Sequence, residues 1–456
     1  MRKNYDFTSG PILKPLLGFA VPVLLALLLQ ALYGAVDLWV VGHYATVEDI
    51  GGVTNGSMMM FALTHLVASF SMGATILIGE AVGEKKPDKA GDIVGTAIVM
   101  LLVIGVVLMI AIPLGSGFLA RLLNTPEEAF PMAKEYIAIC GGGMIMIIAY
   151  NLIGSIFRGI GDSVTPLCTV AIASVLNIIA DVVLVKYFHM GAAGAAYATV
   201  GAQTGSVILS YLMIRRKDLP FAFSRKKLRF RRDIGKHIVR VGIPLSIQDI
   251  MVNISFMIIM AIVNNLGVIA SDGIGVADRV NGFVIMLPVA MLQSIAAFTS
   301  QNKGAGKPRR ALRGLYQMLM IAIGVNLAAF VVQFFFGGDL ASLFTHNKEV
   351  VEATSVYLRA YALEALSLGF LFSFLGFFNG YEYTKVSMAI SVSAAFLIRI
   401  PAAWLLYRFV GTMFGIGMSV PISTWIEIVI AGAFFLYVRR KLLREADPEG
   451  TAAAAD

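Results

Sequence analysis

Four residues set in otherwise apolar runs have the types and spacing for cation chemistry. Asp37 stands among Tyr33, Val36, Leu38, Trp39 and Val40, in a stretch from Leu16 to Gly42 that also contains Pro22. Asn177 and Asp181 are four apart, which puts both on one helical face about 5–6 Å from each other. Thr199 adds a hydroxyl in the next run. An ionised Asp inside a bilayer costs at least about 2.5 kcal/mol, so such a residue is expected to face a bundle interior or an aqueous cavity and to mark an ion pathway. At 1.5 Å per residue, Asp181 lies roughly 25 Å and Asp37 roughly 30 Å from the cytoplasmic ends of their spans, and Thr199 about 12 Å in from the opposite end. All three fall in the outer half. Two carboxylates, an amide and a hydroxyl make an oxygen-rich cluster suited to Na⁺, and paired carboxylates also suit H⁺. The other reading of the spacing is that Asn177 and Asp181 hold helices together by hydrogen bonds.

The elements that must position these residues are membrane spans. In 456 residues, 58% are hydrophobic and 14% charged, with a mean hydropathy of +0.80; a soluble domain carries roughly a quarter charged residues. Counting apolar runs of about 20 residues gives twelve: 16–42, 53–80, 93–114, 135–157, 164–187, 191–214, 238–265, 272–300, 311–337, 351–378, 384–407 and 414–438. The first follows Arg2 and Lys3 and is too long for a secretory leader, so it reads as a retained span. The loops on the amino-terminal side hold 27 Lys and Arg, those on the other side 5 (Arg121, Lys134, Lys186, Lys348 and Arg408). This asymmetry predicts that both termini are cytoplasmic. It also accounts for the net charge of +8 without nucleic acid.

The most basic interruption, Arg215 to Lys236, divides the chain into halves of six spans, 1–214 and 237–456. A shift of 221 or 222 places Pro22 on Pro244, Gly83 on Gly304, Lys86-Pro87 on Lys307-Pro308, Tyr136 on Tyr357, and Phe157 and Gly159 on Phe378 and Gly380. Six is even, so both halves enter from the same side and the repeat is parallel, as in secondary transporters whose substrate site lies between repeats. The fold expected is all-α, with twelve transmembrane helices in two six-helix lobes.

Other signals are weaker. Asp249, Glu364 and Arg399 form a possible polar site in the second half, with Arg399 read either as a structural ion pair with Glu364 or as a substrate contact. The 22 methionines include Met257, Met260, Met286 and Met291; soft side chains suit a promiscuous cavity, although Met is common in any apolar core. Cys140 and Cys168 make no disulfide framework or metal spacing. The five histidines are not spaced for zinc, and Gly159-Ile160-Gly161 and Gly273-Ile274-Gly275 follow no strand and are no nucleotide fingerprint. A membrane-embedded enzyme would need a nucleophile and base or a metal motif, and neither is visible.

Several runs together resemble the multidrug and toxic compound extrusion (MATE) family. They are Gly10-Pro11, Pro22 through Leu32-Tyr33-Gly34-Ala35-Val36-Asp37-Leu38-Trp39-Val40-Val41-Gly42, Phe157-Arg158-Gly159-Ile160-Gly161-Asp162-Ser163, the Asn177 and Asp181 pair, and Gly191-Ala192-Ala193-Gly194-Ala195-Ala196-Tyr197-Ala198-Thr199. The resemblance covers nearly the whole chain and is nearest the bacterial DinF/MepA-like members, which couple through the amino-terminal lobe. It implies a secondary antiporter of the bacterial plasma membrane that exports cationic or amphipathic small molecules against H⁺ or Na⁺. It implies no cofactor, no metal other than Na⁺ in that lobe and no obligate protein partner. Asp37, Asn177, Asp181 and Thr199 match the family's amino-lobe cation site, and Pro22 the first-helix proline linked to bending. NorM-type members carry further carboxylates in helices seven and ten; Val252 and Leu368 align there, with Asp249 and Glu364 within one turn. A lipid-linked saccharide flippase of the same superfamily is the alternative. It is expected to line its cavity with several Arg or Lys for pyrophosphate, and of these only Arg399 lies deep.

Overall fold

The computed structural model describes residues 6–214, 219–221 and 224–446. Arg2 and Lys3 at the amino terminus and Arg215, Arg216 and Lys217 of the basic loop lie outside the described residues. Among those described there is no strand.

The first half contains α1 (Leu13–Tyr44), α2 (Val47–Gly83), α3 (Pro87–Leu122), α4 (Phe130–Gly142), α5 (Met144–Gly159), α6 (Val164–Asp181) and α7 (Gly191–Ile214). The second contains α8 (Arg232–Val263), α9 (Val268–Val284), α10 (Met286–Gly304), α11 (Pro308–Ser342), α12 (Lys348–Gly380), α13 (Thr384–Ala394), α14 (Ile400–Phe409), α15 (Met413–Gly417) and α16 (Ser419–Ala446). The repeat reappears as helix punctuation. Gly83 and Gly304 end α2 and α10, Pro87 and Pro308 open α3 and α11, and Gly159 and Gly380 end α5 and α12. Proline suits a first helical position because its missing N–H would have had no intrahelical partner there. Elsewhere side chains set the start: Thr46 and Asp49 form a capping box on α2, and Asn347 Oδ1 accepts the amides of Glu349 and Val350 at the head of α12.

Ten of these helical stretches, and the bent pair α4–α5 as an eleventh, are long and apolar enough to cross a membrane. The twelfth expected span is α7, whose 24 residues reach about 36 Å. Thr199, Gln203, Thr204, Ser206 and Ser210 lower its hydropathy. Spans four and eight differ from simple rods. The fourth bends by 56° between α4 and α5, where Gly141 packs against Ile112 and Gly143 against Val200 so closely that neither leaves room for a Cβ. The eighth is interrupted at Ile285 between α9 and α10. The fifth and eleventh each contain a π turn, Val182–Tyr187 directly after Asp181 and Ala395–Arg399 ending on Arg399.

By packing, the chain forms two compact units, Leu25–Ile243 and a second made of Asp6–Leu24 with Pro244 onward. The boundaries fall inside α1 and α8, two residues beyond Pro22 and immediately before Pro244, the repeat-related prolines. Proline removes one backbone hydrogen bond from a helix interior.

Within the first unit the core gathers Val40, Val53, Ile78, Ala97, Ile137 and Ile148. Gly52 and Gly56, one turn apart on α2, meet Met132 and Tyr136 of α4 with no space for a side chain, the small-residue contact that lets membrane helices approach. Val103, Val107, Ile110 and Leu114 of α3 are exposed at helical spacing, as a lipid-facing stripe requires. The segment leading into α8 is strapped to the start of α3: Lys227 pairs with Asp88 and Arg231 with Asp92, both at 2.6 Å, and the Lys227 carbonyl lies directly over Gly95.

Within the second unit Ile259, Ile274, Tyr357, Tyr361, Ala403 and Val420 form a core. Here the amino-terminal segment is clamped. Phe7 is fully buried, edge-on to Phe19 and Phe298. Arg310 donates to the carbonyls of Phe7, Ser9 and Gly10 at 2.7–2.8 Å, Lys307 to that of Thr8 and Asn302 to that of Phe7.

Candidate functional site

Helix α1 carries Asp37 fifteen residues beyond Pro22, and α6 carries Asn177 and Asp181 in its last two turns. The structure buries all three: Asp37 is 5% exposed, Asn177 1% and Asp181 0%. The Asp37 and Asp181 carboxyl groups come within hydrogen-bonding reach of each other, a contact that requires a proton on one of them or a cation between them. Asp181 ends the regular part of its span, and π turns of this kind are frequent at functional sites.

The partners of these groups are conspicuous by their scarcity. Apart from that facing of the two carboxyl groups, Oδ1 of Asp37, both carboxylate oxygens of Asp181 and both amide atoms of Asn177 are buried with no protein donor or acceptor. A buried polar atom left unmatched costs about 1–3 kcal/mol, more when charged. Five such atoms in one cluster are what a ligand set would present, whereas a helix clasp pairs its polar groups. Oxygen atoms of two carboxylates and an amide match a hard monovalent cation, and a carboxylate facing a carboxylate matches a proton. No cluster of three His, Cys, Asp or Glu suited to a metal ion exists among the described residues.

Thr199 enters at one remove. Its side chain bonds the hydroxyl of Tyr136 on α4, and Tyr136, Cys140 and Tyr33 all lie within electrostatic reach of Asp37. Tyr33 in turn bonds Gln203, and Gln30 donates to the Tyr150 hydroxyl at 3.1 Å. Sequence reasoning missed this ring of tyrosines and glutamines. Its signal was the repeated spacing of four in Tyr33 and Asp37, Tyr136 and Cys140, and Thr199 and Gln203, each pair sharing a helical face. Pro22 sits inside α1, which continues through it as one helix. Both cysteines are free, Cys140 buried and Cys168 exposed.

The second half corrects one expectation. Arg399 is paired not with Glu364 but with Glu427, Nη2 to Oε1 at 3.2 Å. Its Nε donates to Ser423 Oγ at 2.9 Å and its Nη1 to Ser255 Oγ at 3.2 Å, and the guanidinium lies 4.8 Å from the centre of the Phe256 ring. Glu364, also buried, accepts from Thr424 Oγ1 at 2.9 Å. Glu427 lies one turn beyond Ser423 on α16, so it meets Arg399 on the same face as the serine. Asp249 is half-buried on α8, and Leu368 packs in the apolar interior.

Comparison with known proteins agrees with the helical repeat. The MatE family profile matches twice, at residues 22–183 and 244–405. The chain is 25% identical over 443 residues to the probable multidrug resistance protein YpnP of Bacillus subtilis, covering 97% of this chain and 99% of that one. It is 26% identical over 447 residues to the probable multidrug resistance protein YoeA of the same organism, covering 93% of each. Its fold is similar to that of a solved MOP superfamily transporter from Pyrococcus furiosus, with a TM-score of 0.90 at 20% identity over 98% of this chain and 100% of that one. With both halves matched at the same shift that the prolines and glycines display, this multi-pass membrane protein belongs to the MatE family of transporters.

Proposed function

We propose that this protein is a secondary active multidrug antiporter that exports cationic or amphipathic small molecules in exchange for H⁺ or Na⁺. The observation that carries the reading is the set of buried, unmatched oxygens on Asp37, Asn177 and Asp181. The driving cation enters from outside, binds these groups with Thr199 supporting through Tyr136, and favours the state that releases drug outward. A cation shifts the equilibrium only by its difference in affinity for the two states. A site whose carboxylates approach each other in one state provides such a difference.

In this scheme the halves 1–214 and 237–456 are the lobes that alternate, and the Pro22 region of α1 is the hinge. Both termini are cytoplasmic by the excess of Lys and Arg on that side, and the membrane is the plasma membrane of a bacterium, the organism of the similar proteins YpnP and YoeA being bacterial. The names of the Bacillus subtilis relatives support export of drugs. A saccharide flippase needs deep cationic groups free to hold pyrophosphate, whereas Arg399 is already engaged by Glu427 and two serines.

The test is efflux of a fluorescent lipophilic cation from proteoliposomes, with a proton gradient and a sodium gradient applied separately. Transport that follows one gradient and is lost in Asp37→Asn supports the scheme; ion-driven transport that survives in a normally folded Asp37→Asn protein overturns it.

A further inference from the structure

The two halves treat their buried charges in opposite ways. In the first, five atoms of Asp37, Asn177 and Asp181 are buried without a partner. In the second, Glu364 and Glu427 are comparably buried, at 6% and 2% exposure. Yet no atom of Glu364, Arg399, Glu427, Ser255, Ser423 or Thr424 is both buried and unmatched.

The two clusters occupy corresponding places. Each lies on the fifth span of its half, where the helix passes through a π turn. Asp181 is seventeen residues from the start of α6 and Arg399 fifteen from the start of α13, a difference in depth of about 3 Å. What stands at that depth differs: in one half a carboxylate facing the carboxyl of Asp37, in the other a guanidinium paired with Glu427.

We propose that Arg399 is a built-in cation, its guanidinium permanently filling in the second half the role that an exchangeable ion takes in the first. The inference rests on reading the Asp37 cluster as the cation site. A guanidinium stays protonated at any working pH, and its planar fork serves several acceptors at once. Arg399 engages each of its three side-chain nitrogens, on Ser255 of α8 and on Ser423 and Glu427 of α16. Glu364 lies within electrostatic reach of the same group. A charge tethered by its own backbone has no binding equilibrium, so the second half cannot respond to an ion gradient. The gradient then acts on the first half alone, and the second serves as a fixed-charge counterpart.

The experiment measures cation binding to the full-length protein in nanodiscs, using radioactive Na⁺ and, separately, an indicator dye for proton uptake. Wild type is expected to bind through the first half only, so Asp37→Asn leaves no residual binding. Arg399→Ala vacates the second site and is expected to gain binding of methylguanidinium, with a rise in melting temperature that wild type does not show. Arg399→Ala combined with Glu427→Gln, which also removes the carboxylate that the guanidinium pairs with, is expected to lose that gain. Residual binding in Asp37→Asn that Glu364→Gln then removes would leave the first-half site standing and overturn the built-in cation. Undiminished binding in Asp37→Asn, unaffected by Glu364→Gln, would instead overturn the first-half reading. Folded Arg399→Ala that ignores methylguanidinium also overturns the proposal, and the Asp37→Asn measurement decides it where Arg399→Ala does not fold.

Discussion

The guanidinium of Arg310 holds the carbonyl of Phe7 at 2.8 Å, while the Phe7 ring is enclosed by Phe19 and Phe298. A five-residue segment ahead of the first helix is thus fixed both by its backbone and by a buried aromatic. Phe7→Ala removes the ring and leaves a cavity, for which core phenylalanines lose about 3–5 kcal/mol. Thermal unfolding in detergent should show a lower midpoint, and Arg310→Ala should do the same by freeing the carbonyls of Ser9 and Gly10 and leaving that of Phe7 to Asn302 alone.

The same segment should loosen in acid. Partial burial pushes the Asp6 carboxyl up, but hydrogen bonds from Ser9 and Thr8 outweigh it and hold the group below its usual value. A depressed carboxyl contributes stability above its unfolded value, near about 3.9, and loses it as pH falls through the folded one. The protection of the Thr8 amide, which donates to Asp6 at 2.8 Å, measured relative to its intrinsic exchange rate, should therefore fall below about pH 4 in wild type. Asp6→Asn should show low protection throughout.

At the candidate cation site, Asp37→Asn and Asp181→Asn should separate stability from function. Each removes a buried unmatched carboxylate, so neither is expected to lower the melting temperature, and both should abolish ion-driven efflux. A variant that melts early yet still couples transport to the ion would count against the assignment.

Tyr136→Phe tests whether Thr199 acts through its tyrosine. The change deletes one hydroxyl and leaves Thr199 without that partner, a loss of about 1 kcal/mol. If the threonine supports the site, the ion concentration giving half-maximal efflux should rise by about five-fold with little change in maximal rate. An unchanged ion dependence would leave Thr199 a purely packing residue.

Gly95→Ala should displace the connecting segment. The added methyl would collide with the Lys227 carbonyl, and overpacking of this kind costs about 1–3 kcal/mol. Limited proteolysis near Lys227 should quicken, because the Asp88 and Asp92 pairs would be pulled out of register.

Much of this was legible before any coordinates. Pro87, Pro308, Gly83 and Gly304 mark helix ends in the sequence because their backbone chemistry acts locally, and Asp37 and Asp181 stand out because a carboxylate in an apolar run is costly. The bend between α4 and α5 was not legible, since it depends on Ile112 and Val200 arriving beside Gly141 and Gly143. Nor was the choice of Glu427 over Glu364 by Arg399, which turns on which faces of α12 and α16 reach the eleventh span. In the sequence Tyr33 is only a neighbour of Asp37, Tyr136 only a repeat marker and Gln203 not singled out, because such residues are ordinary in spans and only their arrangement around Asp37 sets them apart.

The division inside α1 bears on how such a chain can be cut and rejoined. A fragment ending at Ile214 would carry Phe7, Leu16 and Phe19, but Arg310, Phe298, Asn302 and Ser294, which receive them, would be missing. The complementary fragment would carry the opening of α8, whose Ile238 and Gly242 pack against Gly73 of α2. Each fragment would therefore display an orphaned arm and an empty berth. Two co-expressed halves should reassemble by trading arms.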